Sequence, residues 1–321
     1  MKKFNVIDMH CDTITGLARS GKSFVDNDCH ISLNKLKEGN YMMQCFAIFI
    51  HKKYDVPAFE KCMNYIDFFK KTMQENADQI SQVTTVDDIL FNSQQGKLSA
   101  MLTIEGGEAV EGSLEKLQKV YDQGVRMMTL TWNFENEIGY PNDVYNPDGP
   151  KPDTEHGLKP FGLECINRMQ DLGMIVDVSH LSDAGIYDVL NYARKPIVAS
   201  HSNARAVWDF PRNMTDDMIL RLHRNGGIMG MNYCPDFVSG DVTHDQIPAI
   251  VEHIKHIASI AGIETVALGS DFDGISTPVG MSDCTKTYQL YEALKVEGFS
   301  EEDIDKIFYK NFLRVLEANQ E

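Results

Sequence analysis

The stretch Phe4-Asn-Val-Ile-Asp-Met-His10-Cys-Asp12 is a short apolar run that ends in a histidine and an aspartate two positions apart. Side chains two residues apart on a strand point to the same side, so His10 and Asp12 can bind one metal ion together while Cys11 faces away. The first strand of a doubly wound open sheet is usually followed by a glycine-rich turn. The His-Cys-Asp ending therefore favours a barrel with a metal site at its mouth.

Apolar runs and helical periodicity alternate along the rest of the chain. Strands are predicted at about residues 4–10, 42–50, 99–104, 125–131, 174–179, 196–200, 227–233 and 265–270. Apolar residues recur with helical period at 59–80, 114–121, 161–172, 184–193, 216–224 and 247–261. Helix caps are predicted at Ser113, Ser182 and Thr215, with end glycines at Gly124, Gly173 and Gly226. This order predicts one α/β domain over residues 1–321, a (β/α)8 TIM barrel.

Two segments stand outside the regular alternation. The connection over about 134–158 is rich in Pro, Asn, Asp and Gly. Loops of this length in compact domains are often functional lids, although a surface insertion is the alternative. A C-terminal helix is predicted over 301–318, with Ile304, Ile307, Phe308 and Leu316 packed inward.

Composition excludes several classes of partner. The 321 residues carry a formal net charge of −17, which argues against nucleic acid and anionic membranes as partners. No apolar run approaches the roughly 18 residues of a membrane helix, and no signal-peptide pattern is recognised. The seven cysteines are odd in number and form no CxxC pair. We therefore expect reduced thiols and a cytoplasmic location.

Ligand-type side chains follow five of the eight predicted strands, where the active site of such a barrel lies. These residues are His10, Asp12, Glu105, His180, His201 and Asp271. A catalytic zinc ion takes about three protein ligands plus water, so six residues exceed the need of one ion. Two divalent ions that share one carboxylate as a ligand would make economical use of the six residues. They could also hold a bridging hydroxide between them. Nitrogen and oxygen ligands suit zinc best, with cobalt, manganese and iron left open.

Six short motifs occur in a fixed order along the chain. They are Asp8-Met-His10-Cys-Asp12, Ile104-Glu105-Gly-Gly107, Asp177-Val-Ser-His180, Ser200-His201-Ser202, Arg212-Asn213 and Gly269-Ser-Asp271-Phe-Asp-Gly274. In order and spacing this set resembles the renal (membrane) dipeptidase family, peptidase family M19 of the amidohydrolase superfamily, from about residue 5 to 315. The resemblance implies a binuclear metallo-dipeptidase that hydrolyses small dipeptides through a metal-bridging hydroxide, and by analogy a homodimer.

The resemblance also implies roles for individual metal ligands. His10 and Asp12 would bind the first metal ion, and Glu105 would bridge the two ions. His180 and His201 would bind the second. Chemical reasoning agrees, because an amide is a poor electrophile that needs a metal ion to polarise its carbonyl.

Further roles concern proton transfer and substrate binding. Asp271 resembles the family's acid on the last strand, which exchanges a proton with the water and the leaving amine, although Asp273 competes for this place. Arg212 resembles the arginine that pairs with the substrate's C-terminal carboxylate, which suits a bidentate guanidinium. Asp8 and Asp177 are expected to be buried partners of the site.

One position departs from the family pattern. Many members carry a histidine after the fourth strand, where it helps to hold the substrate carbonyl, but this chain has Trp132 there. An indole donates one hydrogen bond and cannot carry a proton. Trp132 or Asn133 could substitute as a substrate-binding residue, a residue of the 134–158 loop could supply the function, or the substrate could differ.

Two rival functions remain open at this level. One is another amidohydrolase reaction, such as deacylation of an N-acyl amino acid or opening of a cyclic amide or lactone. The other is a non-catalytic binding protein, which the complete ligand set disfavours. The remaining histidines are predicted to be surface or loop residues, with His253 and His256 on an exposed helix face: His30, His51, His156, His223, His244, His253 and His256.

Overall fold

The computed structural model describes residues 4–51 and 56–320, and residues 1–3, 52–55 and 321 lie outside that description. Its strands are β1 Val6–Asp8, β2 Tyr41–Phe49, β3 Ile80–Val83, β4 Leu98–Glu105, β5 Val125–Thr129, β6 Ile175–Asp177, β7 Val198–Ala199, β8 Ile228–Met231 and β9 Val266–Leu268. All recorded strand pairs are parallel.

Eight of these strands form a closed ring. β2 pairs with both β1 and β4, the order then runs from β4 through β5, β6, β7 and β8 to β9, and β9 pairs with β1. The predicted (β/α)8 barrel is therefore confirmed. β3 is an additional strand that pairs with the first four residues of β4.

Helices follow the strands around the ring. The α-helices are α1 Thr13–Ser20, α2 Leu33–Glu38, α3 Ala58–Glu75, α4 Val86–Gln94, α5 Leu114–Asp122, α6 Pro160–Leu172, α7 Asp183–Tyr192, α8 Asp216–Arg224, α9 Pro235–Val238, α10 Ile247–Ala261, α11 Thr287–Val296, α12 Glu301–Asp305 and α13 Asn311–Gln320. The predicted caps Ser113, Ser182 and Thr215 each accept a hydrogen bond from the backbone N–H three residues on. Within the described residues, no helix is long and apolar enough to cross a membrane.

The prediction of one helix over 59–80 was wrong at its end. The helix stops at Glu75, and the chain continues into β3 and the unpredicted helix α4. Ile80 lies seven residues after Met73, so it continues the apolar stripe of the helix in the sequence pattern. In the structure the backbone of Ile80 pairs with Leu98 instead. Periodicity alone does not distinguish these two uses of one apolar residue.

The C-terminal segment closes the amino-terminal end of the barrel. α12, a π-helical stretch at Lys306–Lys310 and α13 follow one another directly, and the four predicted inward residues are buried. Phe312, Val315 and Leu316 of α13 belong to the apolar cluster that fills the lower barrel, together with Met43 and Met127. This packing leaves the carboxyl ends of the strands as the open face.

Two of the histidines predicted to be surface or loop residues are buried, His253 on a helix and His30 in a loop. His253 is fully buried on α10, so its predicted exposed face was wrong, and His30 is also buried. The Nδ1 atom of His253 accepts from the backbone N–H of Ala204 at 3.1 Å, and its Nε2 donates to the carbonyl of Val238 at 2.9 Å. Both ring nitrogens are therefore satisfied by backbone in the neutral form.

This burial predicts a pH dependence of stability. Burial lowers the pKa of His253 to about 4 from an ordinary value of 6.5. Between these pH values the unfolded chain binds a proton that the folded chain does not, so stability falls as the pH falls through this window. The full effect is about 3 kcal/mol. We expect His253→Gln to show a shallower loss of unfolding free energy between pH 7 and pH 4 than the wild type.

Urea unfolding at a series of pH values measures this slope. His223→Gln, at an exposed histidine, serves as the control and should keep the slope of the wild type. An unchanged slope in His253→Gln would show that the buried imidazole is not the group that titrates.

Candidate metal centre

The six ligand-type residues meet at the carboxyl ends of the barrel strands. His10 and Asp12 follow β1, Glu105 ends β4, His180 follows β6, His201 follows β7 and Asp271 follows β9. All six are buried. Their nitrogen and oxygen atoms form three groups within 4.8 Å: His10, Asp12 and Glu105; Glu105, His180 and His201; and His10, His201 and Asp271.

Glu105 stands between the two halves of this cluster. Its Oε2 lies 3.6 Å from Nε2 of His10. Its Oε1 lies 2.9 Å from Nε2 of His180 and 3.5 Å from Nε2 of His201. One carboxylate thus faces two separate sets of nitrogen ligands, one with each oxygen.

The half around His10 fits a cation. Nε2 of His10 lies 3.6 Å from Oδ2 of Asp12 and 3.8 Å from Oδ1 of Asp271. These distances exceed a hydrogen bond. Both Nε2 of His10 and Oδ1 of Asp12 are buried without a hydrogen-bond partner. Buried polar atoms that converge but do not pair are expected where a metal ion fills the space between them.

A relay of hydrogen bonds sets the tautomer of His201. The Ser200 hydroxyl donates to Oδ2 of Asp177 at 2.5 Å and lies 2.7 Å from Nδ1 of His201. A hydroxyl has one proton, so Nδ1 of His201 is the donor to Ser200 and Nε2 keeps a free lone pair. Such outer partners fix the orientation of a metal-binding histidine. The expected partner role of Asp177 follows from this geometry.

Nε2 of His180 lies 2.9 Å from Nε2 of His201, the nitrogen with the free lone pair. Two imidazole nitrogens that face each other repel unless a proton or a cation lies between them. His180 Nδ1 lies 2.7 Å from Oδ1 of Asn133, on the opposite side of the ring. The donor set of this half therefore also fits a divalent metal ion.

The backbone is strained at two of these residues. His180 has φ 70° and Asp271 has φ 64°, in the left-handed region that favours glycine. Such conformations cost about 1–3 kcal/mol and concentrate at functional sites. The bends aim both side chains into the cluster directly after their strands.

Burial shifts the pKa values of the carboxyl groups upward. It raises the pKa of Glu105 to about 8, with Asp12 as a further cause. It raises the pKa of Asp271 to about 6, where the nearby Asp12 again adds to the shift. A cluster that holds protons in this way releases them when a metal ion binds.

The histidines divide into two kinds. Burial lowers the pKa of His180 and His201 well below the ordinary value, which keeps both rings neutral and able to bind a metal ion. Burial also opposes the charge on His10, but Glu105 and Asp12 outweigh it and raise its pKa well above the ordinary value. His10 is thus the histidine most closely surrounded by negative charge.

Asp271 and Asp273, which compete in the sequence, occupy different places. Oδ2 of Asp271 accepts from Asn232 at 3.0 Å, and its Oδ1 faces His10. The carboxylate of Asp273 accepts from the Thr13 hydroxyl at 2.6 Å and from the His30 backbone N–H at 2.6 Å. Asp273 therefore joins the loop after β9 to the chain after β1.

Sequence reasoning missed Asn232. It directly follows β8, so the rule that located the other residues at strand ends could have found it. The expected buried partner Asp8 accepts from the backbone N–H groups of His10 at 3.1 Å and Ser270 at 2.9 Å. Asp8 thereby holds together the two chain segments that carry His10 and Asp271.

A cavity of about 410 Å³ opens onto the cluster. Asp12, Glu105, His180 and Asp271 line it, and so does the half-buried Trp132. The cavity is open at the carboxyl face and gives a small molecule access to the carboxylates and to His180.

The aromatic side of the cavity is formed by Trp132 and Phe49. Their rings meet edge to face with centroids 4.9 Å apart, and both residues line the cavity. From the long loop, Tyr145 lies beside Trp132 with ring centroids 6.4 Å apart. The predicted loop region therefore packs beside the aromatic side of the cavity.

Arg212 is buried next to this cavity without lining it. Its Nη2 donates to the backbone carbonyl of His201 at 3.3 Å, and its guanidinium lies 5.4 Å from the ring centroid of Phe237. Its Nε has no hydrogen-bond partner, and burial lowers its pKa. The structure thus brings Arg212 to the back of the metal cluster with part of its hydrogen-bonding capacity unused.

Fold and site together define a class of protein, the metal-dependent (β/α)8 barrels with ligands at the carboxyl ends of their strands. The chain belongs to the membrane dipeptidase family, peptidase family M19, whose model matches residues 1–321. The family predicted from the ordered motifs is therefore confirmed, and membership supports a metal-dependent dipeptidase.

Individual relatives agree with this membership. The chain is 34% identical to an uncharacterized dipeptidase of Schizosaccharomyces pombe over 89% of this chain and 71% of the relative. It is 33% identical to an uncharacterized protein in the pqqA 5' region of Klebsiella pneumoniae over 77% of this chain and 92% of the relative. A Rhodobacter sphaeroides metallopeptidase, crystallised with a phosphinate mimic of L-Ala-D-Ala, has the same fold at a TM-score of 0.91, 23% identity and coverage of 99% and 100%.

Proposed function

We propose that this protein is a two-metal dipeptidase that hydrolyses the peptide bond of small dipeptides. The observation that carries the proposal is the position of Glu105, whose two oxygens face different histidines. A carboxylate that offers one oxygen to each of two groups of nitrogen ligands could bind two metal ions at once, as a two-metal site requires. The mimic of L-Ala-D-Ala bound by the Rhodobacter sphaeroides relative supports a dipeptide of small residues as substrate.

The proposed ligand assignment follows the two halves of the cluster. His10 and Asp12 would hold the first ion, His180 and His201 the second, and Glu105 would join them. Bound divalent ions supply Lewis acidity at the scissile carbonyl and acidify water. We propose zinc as the metal because the donor set combines imidazole nitrogen with carboxylate oxygen.

Asp271 is proposed to move the proton that peptide cleavage requires. Its Oδ1 lies 3.8 Å from Nε2 of His10, beside the proposed metal positions, where a carboxyl group can exchange a proton with water and substrate. Asn232 holds Oδ2, so Oδ1 is the atom that faces the reacting groups. An amide nitrogen must be protonated before it can leave, and a positioned carboxyl group supplies this proton.

Arg212 is proposed to receive the C-terminal carboxylate of the substrate. A buried guanidinium is costly without an anionic partner, and its Nε is still unpaired. Carboxylate and guanidinium form two parallel hydrogen bonds. This pairing would select substrates with a free carboxylate.

Trp132 is proposed to contact a substrate side chain. The contact would be apolar, because the rings of Trp132 and Phe49 adjoin and form one aromatic surface on the cavity wall. We expect Trp132→Ala to raise KM for dipeptides with large apolar side chains about 10-fold, as loss of apolar burial predicts, and to leave KM for glycine dipeptides nearly unchanged. Trp132→Phe, which keeps an aromatic ring, is the matched control. An equal rise in KM for every substrate would contradict the proposal.

A cytoplasmic location is also proposed. It rests on the acidic composition and on seven cysteines with no predicted pairing. Cell fractionation with an antibody against the protein tests it, and recovery in the secreted fraction would contradict it.

Hydrolysis of a dipeptide library by protein of known metal content tests the proposed reaction. Cleavage should require a free amine and a free carboxylate, should stop on chelation and should return with zinc. The library should include L-Ala-D-Ala, N-acyl amino acids, cyclic amides and lactones. Preferential turnover of the acylated or cyclic compounds would instead establish another amidohydrolase reaction.

A further inference from the structure

We propose that Asn133 is a positioning residue that presents Nε2 of His180 to the second metal ion. The inference rests on the proposed metal centre but not on the identity of the substrate. It gives a role to the residue next to Trp132, at the point where the chain departs from the family pattern.

The hydrogen bond between the two side chains is short. Nδ1 of His180 lies 2.7 Å from Oδ1 of Asn133. An amide oxygen only accepts, so Nδ1 is the atom that carries the proton in this pair. The proton on Nδ1 leaves Nε2 with its lone pair, which a metal ion requires.

The contact made by Nδ2 of Asn133 is consistent with an amide whose Oδ1 points at His180. Nδ2 of Asn133 donates to the hydroxyl of Tyr145 at 3.3 Å. If the amide were reversed, Nδ2 would donate to Nδ1 of His180, and the ring proton would move to Nε2. That proton would then lie in the space between His180, His201 and Glu105, where it would block the metal ion.

The two histidines of the second site are supported differently. Behind His201 stand Ser200 and the carboxyl group of Asp177, both fully buried. Behind His180 stands one neutral amide, which lines the cavity wall. A carboxylate-backed imidazole is the stronger ligand, so affinity at this site depends on how well Asn133 holds the weaker one.

The hydrogen bond to Asn133 restrains the orientation of the His180 ring. It is made by Nδ1, while the other ring nitrogen, Nε2, lies 2.9 Å from Nε2 of His201 and 2.9 Å from Oε1 of Glu105, at the proposed metal position. Loss of this bond frees the ring to rotate about its side-chain torsions.

Zinc binding by the full chain tests the inference. Zinc content is measured after equilibration with buffers of defined free zinc, and the two dissociation constants are obtained by competition with a chromophoric chelator. We expect Asn133→Ala to weaken the binding of one of the two zinc ions about 10- to 100-fold, the range found for outer partners of metal ligands. The dissociation constant of the other ion should be nearly unchanged. Asn133→Asp keeps an acceptor at this position and should recover most of the affinity.

Tyr145→Phe is the matched control, because it removes the hydroxyl beside Nδ2 but leaves the Oδ1 contact. It should keep both dissociation constants within about twofold. The inference would be overturned if Asn133→Ala kept the zinc affinity of the wild type or lost affinity equally for both ions. It would also be overturned if Asn133→Asp bound zinc no more tightly than Asn133→Ala. A wild-type chain that binds no zinc, or only one ion, would instead reject the two-metal site of the proposed function.

Discussion

Glu105→Gln is expected to bind at most one zinc ion per chain and to lose activity about a thousand-fold, which corresponds to about 4 kcal/mol of transition-state stabilisation. The reason lies in the two oxygens of Glu105, which face His10 on one side and His180 with His201 on the other. Glutamine has one oxygen, and its NH₂ group is a donor that cannot bind a metal ion. One half of the centre therefore loses its shared ligand.

The zinc content of the purified protein and its rate of hydrolysis of a dipeptide substrate measure the two parts of this prediction. Glu115→Gln, at an exposed glutamate of α5, makes the same chemical change away from the centre and should behave as the wild type. Two tightly bound zinc ions in Glu105→Gln would show that Glu105 does not bridge them.

Asp271→Asn is expected to lower kcat by about 10²- to 10⁴-fold, the usual contribution of a general acid or base, with a much smaller change in KM. Asparagine has nearly the same shape, so the contact with Asn232 can be retained while the proton-carrying group is lost. Steady-state kinetics at saturating zinc separate these constants.

Asp273→Asn is the matched control, two residues along the same loop. Its carboxylate accepts from Thr13 and from the backbone of His30, and it belongs to none of the three groups of ligand-type residues. We expect a lower melting temperature with kcat retained in the folded protein. A selective loss of kcat in Asp273→Asn, with Asp271→Asn active, would reverse the assignment of the two aspartates.

The barrel could be predicted because its strands have a strong signal in the sequence. A parallel strand covered on both faces is a continuous apolar run, and each such run here ends near a polar residue or a glycine. β3 was not predicted, because Ile80 continues the apolar stripe of the preceding helix. Its neighbour α4 begins at a capping box of Thr85 and Asp88, a local signal that was present in the sequence.

The convergence of the proposed metal ligands was predictable for a related reason. A closed parallel barrel brings all strand ends to one face, so ligand-type residues at those ends meet whatever the lengths of the helices between them. His253 was not predictable in this way, since its partners are backbone groups of Ala204 and Val238 from distant segments. Support for His180 by Asn133 depends in the same way on a contact between separate loops.

The seam of the ring lies between β1 and β9, whose backbones pair at Asp8 and Leu268. Just beyond this seam, the backbone N–H of Asp271 donates to the carbonyl of His10. Side chains from both sides of the seam face the first proposed metal position, His10 and Asp12 from one side and the Asp271 carboxylate from the other, so the charge of an ion bound there would favour contact between segments about 260 residues apart in sequence. Metal binding is then linked to local opening of the barrel, and amide hydrogen exchange along the seam should slow as zinc concentration rises.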